Sequence, residues 1–210
     1  MGIRKRMTCS DGTRYGRGQR ERQRKCQLQR ALSRCRQGSR NRGKRKAALA
    51  RLTRKELVRE SNACHRATTE IIRQHGLIAV EKLQIRNMTR SAKGTAEAPG
   101  SNVQAKAGLN REVLAQSWSL LRSQLLCWTE RAGRELVEVN PQYTSQECSR
   151  CQARNNPGKS ETYRCRICGL KMDRDVNAAI NILAAGVLAA GAQTWAVGPC
   201  VAPEPYEKAA

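Results

Sequence analysis

The chain of 210 residues contains no phenylalanine, and aromatic residues make up only 3% of it. Platforms on which successive bases stack are therefore not expected to dominate any nucleic-acid binding. The sequence also has no apolar run long enough to cross a bilayer, and its start lacks the apolar core of a signal peptide. We therefore expect neither a membrane-spanning helix nor secretion.

Acidic residues are scarce, because 17 Asp and Glu stand against 40 Lys and Arg and leave a formal net charge of +23. An excess of this size favours a polyanionic partner, since each neutralised phosphate releases a counterion. A basic membrane-surface protein is a weaker alternative, and ribosomal-type RNA binding stays open on charge alone. Arginine supplies most of the basic residues, which suits bidentate phosphate contacts, although a GC-rich genome would give the same bias.

Four of the ten cysteines form two CxxC pairs, Cys148 with Cys151 and Cys165 with Cys168. Each CxxC turn directs two sulfurs at one point, and a short hairpin between the pairs would bring them together. Four thiolates suit tetrahedral zinc and leave no open position, so the expected metal is structural. In a chain without a secretion signal, this cysteine usage indicates a reducing compartment and metal binding, not disulfides.

Two further expectations concern the arginines beside the CxxC pairs and the six remaining cysteines. Three arginines beside the ligands should favour the deprotonated thiols, and these are Arg150, Arg164 and Arg166. The remaining cysteines show no ligand spacing and are interpreted as small buried hydrophobic residues. They are Cys9, Cys26, Cys35, Cys64, Cys127 and Cys200.

The first third of the chain predicts a hairpin followed by basic helices. Residues 2–16 contain the turn signal Ser10-Asp11-Gly12, which favours strand, turn and strand. Residues 18–75 are helix-like and very basic, and an interruption at 37–43 suggests two helices joined by a basic turn. The predicted nucleic-acid contacts lie around this turn and are Arg30, Arg34, Arg40, Arg42, Lys44, Arg45 and Lys46.

The rest of the chain predicts alternating strands and helices. In chain order we expect a buried strand at 77–80, a mobile loop at 89–108, a helix at 110–131, a strand at 135–140, a zinc module at 142–171, a helix from about 173, and a poorly ordered tail after 191. Apolar residues predicted to pack inward are Leu49, Leu52, Leu57, Val58, Ala63 and Ile71, then Val113, Leu114, Trp118, Leu121, Leu125 and Trp128, and finally Val176, Ile180, Leu183 and Val187.

Three acidic residues stand where strands end or helices begin. Glu81 directly follows the predicted strand at 77–80, and Asp173 and Asp175 open the last helix. Taken singly, Glu81 is typical of a solvated loop and the two aspartates are typical of helix caps. Within a strongly positive surface, such carboxylates could instead hold Mg²⁺ against phosphate, as in two-metal phosphodiester cleavage.

Several motifs occur in the order found in one family. They are Ser10-Asp11-Gly12 before the basic helices, Ile78 to Met88, Gly108 to Glu112 with Trp118, Gln142 to Cys151, Tyr163 to Gly169, and Asp173 to Ile182. These segments closely resemble those of TnpB (OrfB) proteins, which are transposon-encoded RNA-guided DNA endonucleases related to type V CRISPR effector nucleases. The resemblance covers nearly the whole chain.

The resemblance implies an α/β fold of the RNase H-like (RuvC) type with an inserted zinc ribbon. By its domain order, 1–141 and 172–190 form the RuvC-like part, 142–171 the ribbon and 191–210 a flexible tail. The family site uses three carboxylates that hold Mg²⁺; Glu81 matches the second and Asp175 the third, while Asp173 caps the helix. The implied partners are DNA and guide RNA, in a prokaryotic cytoplasm near the nucleoid.

The first family motif, which carries the first catalytic aspartate, has no counterpart here. Counting back from Asp11, Gly2-Ile3 fits the end of that motif, so we expect the chain to begin just beyond the aspartate. Asp11 itself lies about ten residues from the required position, on the order of 30 Å along a strand. It is interpreted as a turn residue, and the RuvC-like domain is expected to be incomplete at its first strand.

Three hypotheses remain at the level of sequence. The favoured one is a nucleic-acid-binding TnpB-type module whose cleavage is impaired because one carboxylate is missing. The second is an active Mg²⁺-dependent endonuclease, in which Glu81 and Asp175 hold one hydrated ion or the true start lies upstream. The third is an unrelated basic zinc-ribbon protein that binds RNA.

Overall fold

The computed structural model describes residues 5–16, 20–156, 158 and 160–191. The strands are β1 (Met7–Thr8), β2 (Arg14–Tyr15), β3 (Leu77–Glu81), β4 (Glu135–Val139), β5 (Thr162–Arg164) and β6 (Lys171–Asp173). The helices are α1 (Arg20–Ser33), α2 (Arg40–Gln74), α3 (Ile85–Met88), α4 (Val103–Ala115), α5 (Trp118–Arg131) and α6 (Arg174–Ala189). The predicted motif remnant at Gly2-Ile3 and the tail at 192–210 lie outside the described residues.

The predicted N-terminal hairpin is confirmed, since β1 and β2 pair antiparallel with Met7 opposite Tyr15. Its turn is closed by Asp11, whose carboxylate accepts hydrogen bonds from the backbone N–H and the hydroxyl of Thr13, both at 2.8 Å. These bonds, the backbone one first, hold the pKa of Asp11 below its usual range. Gly12 takes the left-handed conformation that the turn requires, with φ of +89°.

The two basic helices are also confirmed, as α1 and α2 pack against each other. Ser39 caps α2 by accepting a hydrogen bond from the backbone N–H of Arg42 at 3.2 Å. The predicted apolar stripe is partly wrong: Leu57 is 65% exposed and Val58 is 53% exposed. The buried stripe of α2 instead passes through Leu52, Glu56, Cys64, Ala67, Thr68, Ile71 and Ile72. The buried face of α2 thus includes polar residues, such as Glu56 and Thr68, which an apolar pattern does not reveal.

The central element is a parallel pair of strands, β3 and β4, in register from Leu77 opposite Glu135 to Glu81 opposite Val139. The connection between them runs through α3, α4 and α5, as a parallel crossover requires. The main core lies between the hairpin, α2, β3 and α5, and contains Met7, Cys64, Ile71, Ile72, Ile78, Val80, Leu121 and Leu125. Arg122 of α5 also forms an ion pair with Glu138 of β4.

The single helix predicted at 110–131 is wrong, because the structure has two helices there. α4 starts earlier, at Val103, and ends at Ala115, and α5 starts at Trp118. The helical conformation is interrupted at Ser117, which has φ of 56°. The break lets the indole N–H of Trp118 reach the carbonyl oxygen of Arg6 at 2.8 Å. Leu114, predicted to face inward, is 59% exposed beside this break.

The predicted inward face of α6 is partly wrong as well, since Val176, Ile180 and Val187 are only half-buried. Its buried residues are Asn177, Asn181, Ile182 and Gly186, whereas Leu183 is exposed. Gly186 lies so close to β3 that a Cβ atom there would stand 2.4 Å from the Cβ of Ala79. The helix therefore packs through a small residue and two amides, which apolar periodicity does not detect.

Most of the unpaired cysteines are not buried hydrophobic residues, contrary to expectation. Of the five that the structure describes, Cys64 is buried, Cys9 and Cys35 are half-buried, and Cys26 and Cys127 are exposed. Burial raises the pKa of the Cys9 thiol to about 11, so that thiol stays protonated at neutral pH. Cys200 lies outside the described residues. Among the helices that the structure does describe, none is both long and apolar enough to cross a membrane.

Candidate metal centre and acidic site

The four cysteines of the two CxxC pairs converge on one point. The Sγ atoms of Cys148, Cys151, Cys165 and Cys168 all lie within 4.8 Å of one another. Cys148 and Cys168 are 3.6 Å apart at their sulfurs, and Cys151 and Cys165 are 3.5 Å apart. Sulfurs on a tetrahedral zinc with bonds of about 2.3 Å would be separated by roughly 3.8 Å. The cluster therefore fits zinc, with all four positions filled by protein.

Each cysteine pair sits in a tight turn of the backbone. The N–H of Cys148 donates to the carbonyl of Ala153 at 3.0 Å, and the N–H of Cys165 donates to that of Leu170 at 2.8 Å. The residue after each second cysteine is left-handed: Gly169 has φ of 72° and Gln152 has φ of 59°. The second turn thus has the glycine its geometry favours, and the first tolerates a larger residue.

Backbone donors lower the pKa of one thiol in the cluster, that of Cys165. The N–H groups of Cys168 and then Ile167 donate to the Cys165 sulfur and lower the pKa of Cys165 to about 6. A thiolate is the form that binds zinc, so this turn prepares one ligand for the metal. The neighbouring Arg164 and Arg166 are exposed and are not among the causes of this shift. The pKa of Cys165 is therefore lowered by backbone N–H groups and not, as expected, by arginine.

A buried polar pair, Asn155 and Tyr163, lies beside the cysteine cluster. Asn155 donates to the hydroxyl of Tyr163 at 3.1 Å and to the Cys165 sulfur at 3.5 Å. Tyr163 is fully buried and donates its hydroxyl to the carbonyl of Gln146 at 3.1 Å. Nothing in the sequence selects Asn155, because its distance from the cysteines in the chain matches no ligand spacing.

Two asparagines join the ribbon to α6. The side chain of Asn177 donates to the carbonyl of Glu147 at 2.7 Å and accepts from the N–H of Ser149 at 3.0 Å. One turn later, Asn181 donates to the carbonyls of Thr144 and Glu147 at 2.9 and 2.8 Å. The i, i+4 spacing was visible in the sequence, but only the fold shows that it bonds the first cysteine turn to the helix.

Asp173 is the N-cap of α6, as expected. Its carboxylate accepts from the N–H groups of Asp175 at 2.9 Å and Val176 at 3.2 Å. Arg14 from the hairpin pairs with the other oxygen at 2.6 Å. Asp173 thus links β2, β6 and α6 and has little freedom to serve as a metal ligand.

Glu81 lies on β3 and Asp175 on α6, two elements that pack against each other. Glu81 ends β3 and lines a cavity of about 130 Å³ between β1, β3 and α6. Ala179, Ile182 and Leu183 supply the α6 wall of that cavity. Asp175 lies one turn before Ala179 on the same helix face. Among the described residues, Glu81 is the one carboxylate in the lining, and the thiol of Cys9 also contributes to it.

The predicted nucleic-acid contacts lie around the turn that joins α1 to α2. All of them are exposed apart from Arg42. The guanidinium of Arg42 donates to the carbonyl of Leu32 in the last turn of α1 and to that of Cys35 just after the helix, both at 3.2 Å. That side chain closes the α1–α2 turn, where a cation also complements the end of the helix dipole.

Comparisons with known proteins assign this architecture. Residues 1–92 match a family described as "Probable transposase", and residues 118–182 match the "Cas12f1-like, TNB domain" family. The chain is 39% identical over 197 residues to the putative RNA-guided DNA endonuclease InsQ of Escherichia coli K12. It is 30% identical over 148 residues to TnpB-like protein L79 of Acanthamoeba polyphaga mimivirus.

These relatives are longer than the chain. The InsQ match covers 90% of this chain and 49% of InsQ, and the L79 match covers 69% and 27%. The chain therefore spans about half the length of InsQ. Among solved structures, Cas12f1 in a complex with guide RNA and target DNA aligns with a TM-score of 0.53 at 20% identity, over 81% of this chain and 43% of that one. This likeness shows a shared α/β fold, and with the two family matches and the InsQ identity it places the chain in the TnpB (OrfB) family.

Proposed function

We propose that the chain is the RuvC-like and zinc-ribbon module of a TnpB-type protein that acts on nucleic acid. In this proposal residues 1–141 and 172–190 form the RNase H-like part and residues 142–171 form the ribbon. The supporting observation is the position of Glu81 at the carboxyl end of a parallel strand, with Asp175 in the first turn of the helix packed against it. Ligand sites in α/β folds favour such strand ends.

Glu81 and Asp175 would hold Mg²⁺ in this proposal. Carboxylate oxygens are the ligands this ion prefers, and it commonly takes one or two of them together with water and phosphate. Bound there, Mg²⁺ would stabilise charge on the phosphate during hydrolysis of a phosphodiester bond. The chain's own residues would position the ion, because the β3–α6 contact and the ribbon clamp on α6 hold the helix in place.

We further propose that cleavage by this chain is impaired. A two-metal site needs a bridging carboxylate, and the described cavity lining supplies Glu81 alone. Asp173 is committed to the cap and to Arg14. Asp11 is committed to its turn at Thr13. Neither of these acids is available as a substitute.

The experiment is a cleavage assay on single- and double-stranded DNA with and without Mg²⁺. We expect no cutting above background by this chain. Cutting that requires Mg²⁺ and disappears in Glu81→Gln or Asp175→Asn, but persists in Glu130→Gln at an exposed site on α5, would overturn the impaired-site proposal. The same result would establish the alternative, an active endonuclease built on these two carboxylates.

Binding is proposed to involve an RNA guide and DNA, the ligands in the names of the relatives. The support on this chain is the exposed basic set around the α1–α2 turn. Each phosphate contact contributes to the salt dependence, so affinity should fall steeply as salt rises. Replacing Arg40, Lys44 and Arg45 by Gln together should flatten that slope. An unchanged slope would place the phosphate contacts elsewhere.

A further inference from the structure

The solvent-facing side of α2 carries a row of cations that neither the cysteine cluster nor the Glu81–Asp175 site uses. Its members fall within about 60° of one another around the helix axis, at roughly 100° per residue, and all are exposed. We call this row the outer ridge, and it consists of Lys44, Arg51, Lys55, Arg66 and Arg73. From its first to its last member the ridge runs about 44 Å, at roughly 1.5 Å per residue.

The acids of α2 are directed away from the outer ridge. Glu56 is buried and accepts from the ammonium of Lys25 on α1 at 2.6 Å. Glu60 pairs with a buried arginine of the N-terminal segment. Glu70 is the acid nearest to the ridge in helical position, and its carboxylate interacts with the hydroxyl of Tyr15. These contacts turn the negative charge of α2 toward α1 and the hairpin.

The ridge cations receive little compensation from neighbouring elements. In the part of the chain that the structure describes, no ridge cation forms an ion pair. The two helices packed against α2 contain one acid each, Glu21 on α1 and Glu130 on α5. Arg51 and Lys55 lie one turn apart, where like charges repel each other. A polyanion lying on the ridge would remove this repulsion.

The composition of the ridge favours a duplex over a single strand. Proteins that hold single strands combine cations with aromatic side chains on which the bases stack. The residues between the ridge cations on the same face are Val58, Asn62 and Thr69, and none of them is aromatic. Cations without stacking groups suit a backbone whose bases are already paired.

An acidic membrane surface fits the ridge less well. A helix that lies in a membrane interface needs an apolar face beside its cations. Val58 is the one large apolar side chain on this face of α2. The ridge can therefore offer such a surface charge but almost no apolar area to bury.

We propose that the outer ridge binds the phosphate backbone of double-stranded DNA. At roughly 3.4 Å per base pair, the ridge matches about 13 base pairs. The cations contact phosphates and not base edges, so binding is independent of base sequence. The duplex is DNA because the proposed cleavage acts on DNA. This inference rests on the proposed function and adds to it the surface that holds the duplex and the distance over which it does so.

The test measures the salt dependence of binding to a fluorescent DNA duplex of about 16 base pairs, which covers the whole ridge. In Arg66→Gln/Arg73→Gln the far end of the ridge loses two phosphate contacts, so the slope of log affinity against log salt should become shallower by roughly 2. The unfolding temperature should not fall, since the substitutions reduce repulsion on the helix. The matched control, Arg90→Gln/Lys93→Gln, removes the same charge from exposed positions after α3 and should keep the slope.

Three further probes test the length and form of the duplex. On a DNA hairpin of about eight base pairs, the Arg66→Gln/Arg73→Gln variant should lose less slope, because a short duplex can bind at the other end of the ridge. Equal losses on both lengths would overturn the extended contact. A single DNA strand or an RNA duplex that binds more tightly than the DNA duplex would overturn the assignment to double-stranded DNA.

The outcomes separate this inference from the proposed function. Absence of salt-sensitive binding to any nucleic acid would overturn both. A slope that flattens when Arg40, Lys44 and Arg45 are replaced, but not when Arg66 and Arg73 are replaced, would overturn the ridge alone. A slope that flattens as much in the matched control would also overturn the ridge, since net charge and not position would then determine binding.

Discussion

The amide nitrogen of Asn177 lies 2.7 Å from the carbonyl oxygen of Glu147, the residue before Cys148. The same fully buried side chain accepts from the N–H of Ser149, the residue after Cys148. One residue of α6 therefore holds both sides of the first zinc-ligand cysteine. These hydrogen bonds join the helix that carries Asp175 directly to the cysteine cluster.

Removing this connection should destabilise both parts. In Asn177→Ala, the N–H of Ser149 loses its partner in a buried site, so we expect a loss of about 2 kcal/mol in the free energy of unfolding. Zinc should also pass to a chelator faster, because the first cysteine turn is no longer fixed. Thermal unfolding and a chromogenic chelator measure the two effects. Asn62→Ala, at an exposed position of α2, should change neither, and equal effects of the two substitutions would contradict the clamp.

The close approach of Gly186 to Ala79 leaves no room between α6 and β3 for an added methyl group at position 186. A Cβ at Gly186 would stand 2.4 Å from the Cβ of Ala79, so Gly186→Ala should shift the helix and cost about 1–3 kcal/mol. Gly43→Ala is the matched control, since nothing lies within 4 Å of that position in α2. It should stabilise the chain by up to about 1 kcal/mol through helix propensity. Denaturant unfolding should thus give opposite signs, and a stabilising Gly186→Ala would refute the packing.

The two substitutions Asp173→Ala and Asp173→Asn should destabilise α6 to different degrees. Asp173→Ala removes the cap and should cost about 1 kcal/mol, whereas Asp173→Asn keeps a capping oxygen and should cost less. The exposed pair with Arg14 adds little to either value. Chemical unfolding of the two variants measures the difference. Identical losses would mean that the charge, not the cap, is what stabilises α6.

Metal removal should unfold the ribbon before the rest of the chain. Four thiolates bind zinc in a site that the unfolded segment lacks, so its binding free energy stabilises the ribbon fold. A chelator should release one zinc per chain and leave the helical signal of α2 and α5 largely intact. Cys165→Ser should abolish stoichiometric zinc, while Cys127→Ser, at an exposed cysteine outside the cluster, should retain it. Zinc well below one per chain in the unmodified protein would refute the site.

Features set by neighbouring residues could be read directly from the sequence. The turn at Asp11, the two basic helices, the strands predicted at 77–80 and 135–140 and the convergence of four cysteines all appear in the structure, with strand ends shifted by one residue. Each depends on contacts within a few residues or on a fixed ligand spacing. The cap at Asp173 belongs to the same group, because an N-cap bonds only to the next few N–H groups.

Features set by distant partners could not be read in this way. Apolar periodicity misplaced part of the buried faces of α2 and α6, because Glu56, Asn177 and Asn181 are buried by their hydrogen bonds and Gly186 by its close approach to Ala79. The break at Ser117 is likewise coupled to Trp118 reaching Arg6, more than a hundred positions earlier in the chain. Burial of polar groups depends on which partners the fold supplies.

By itself the sequence determined the family, the four clustered cysteines and the residues to examine as an acidic site, since these are written as local motifs. The tertiary structure alone decided how they are joined. It placed Glu81 beside the helix that carries Asp175, and used Asn177 and Asn181 to fix that helix to the first cysteine turn. The physical reason is that a buried polar group is satisfied only by partners brought from elsewhere in the chain.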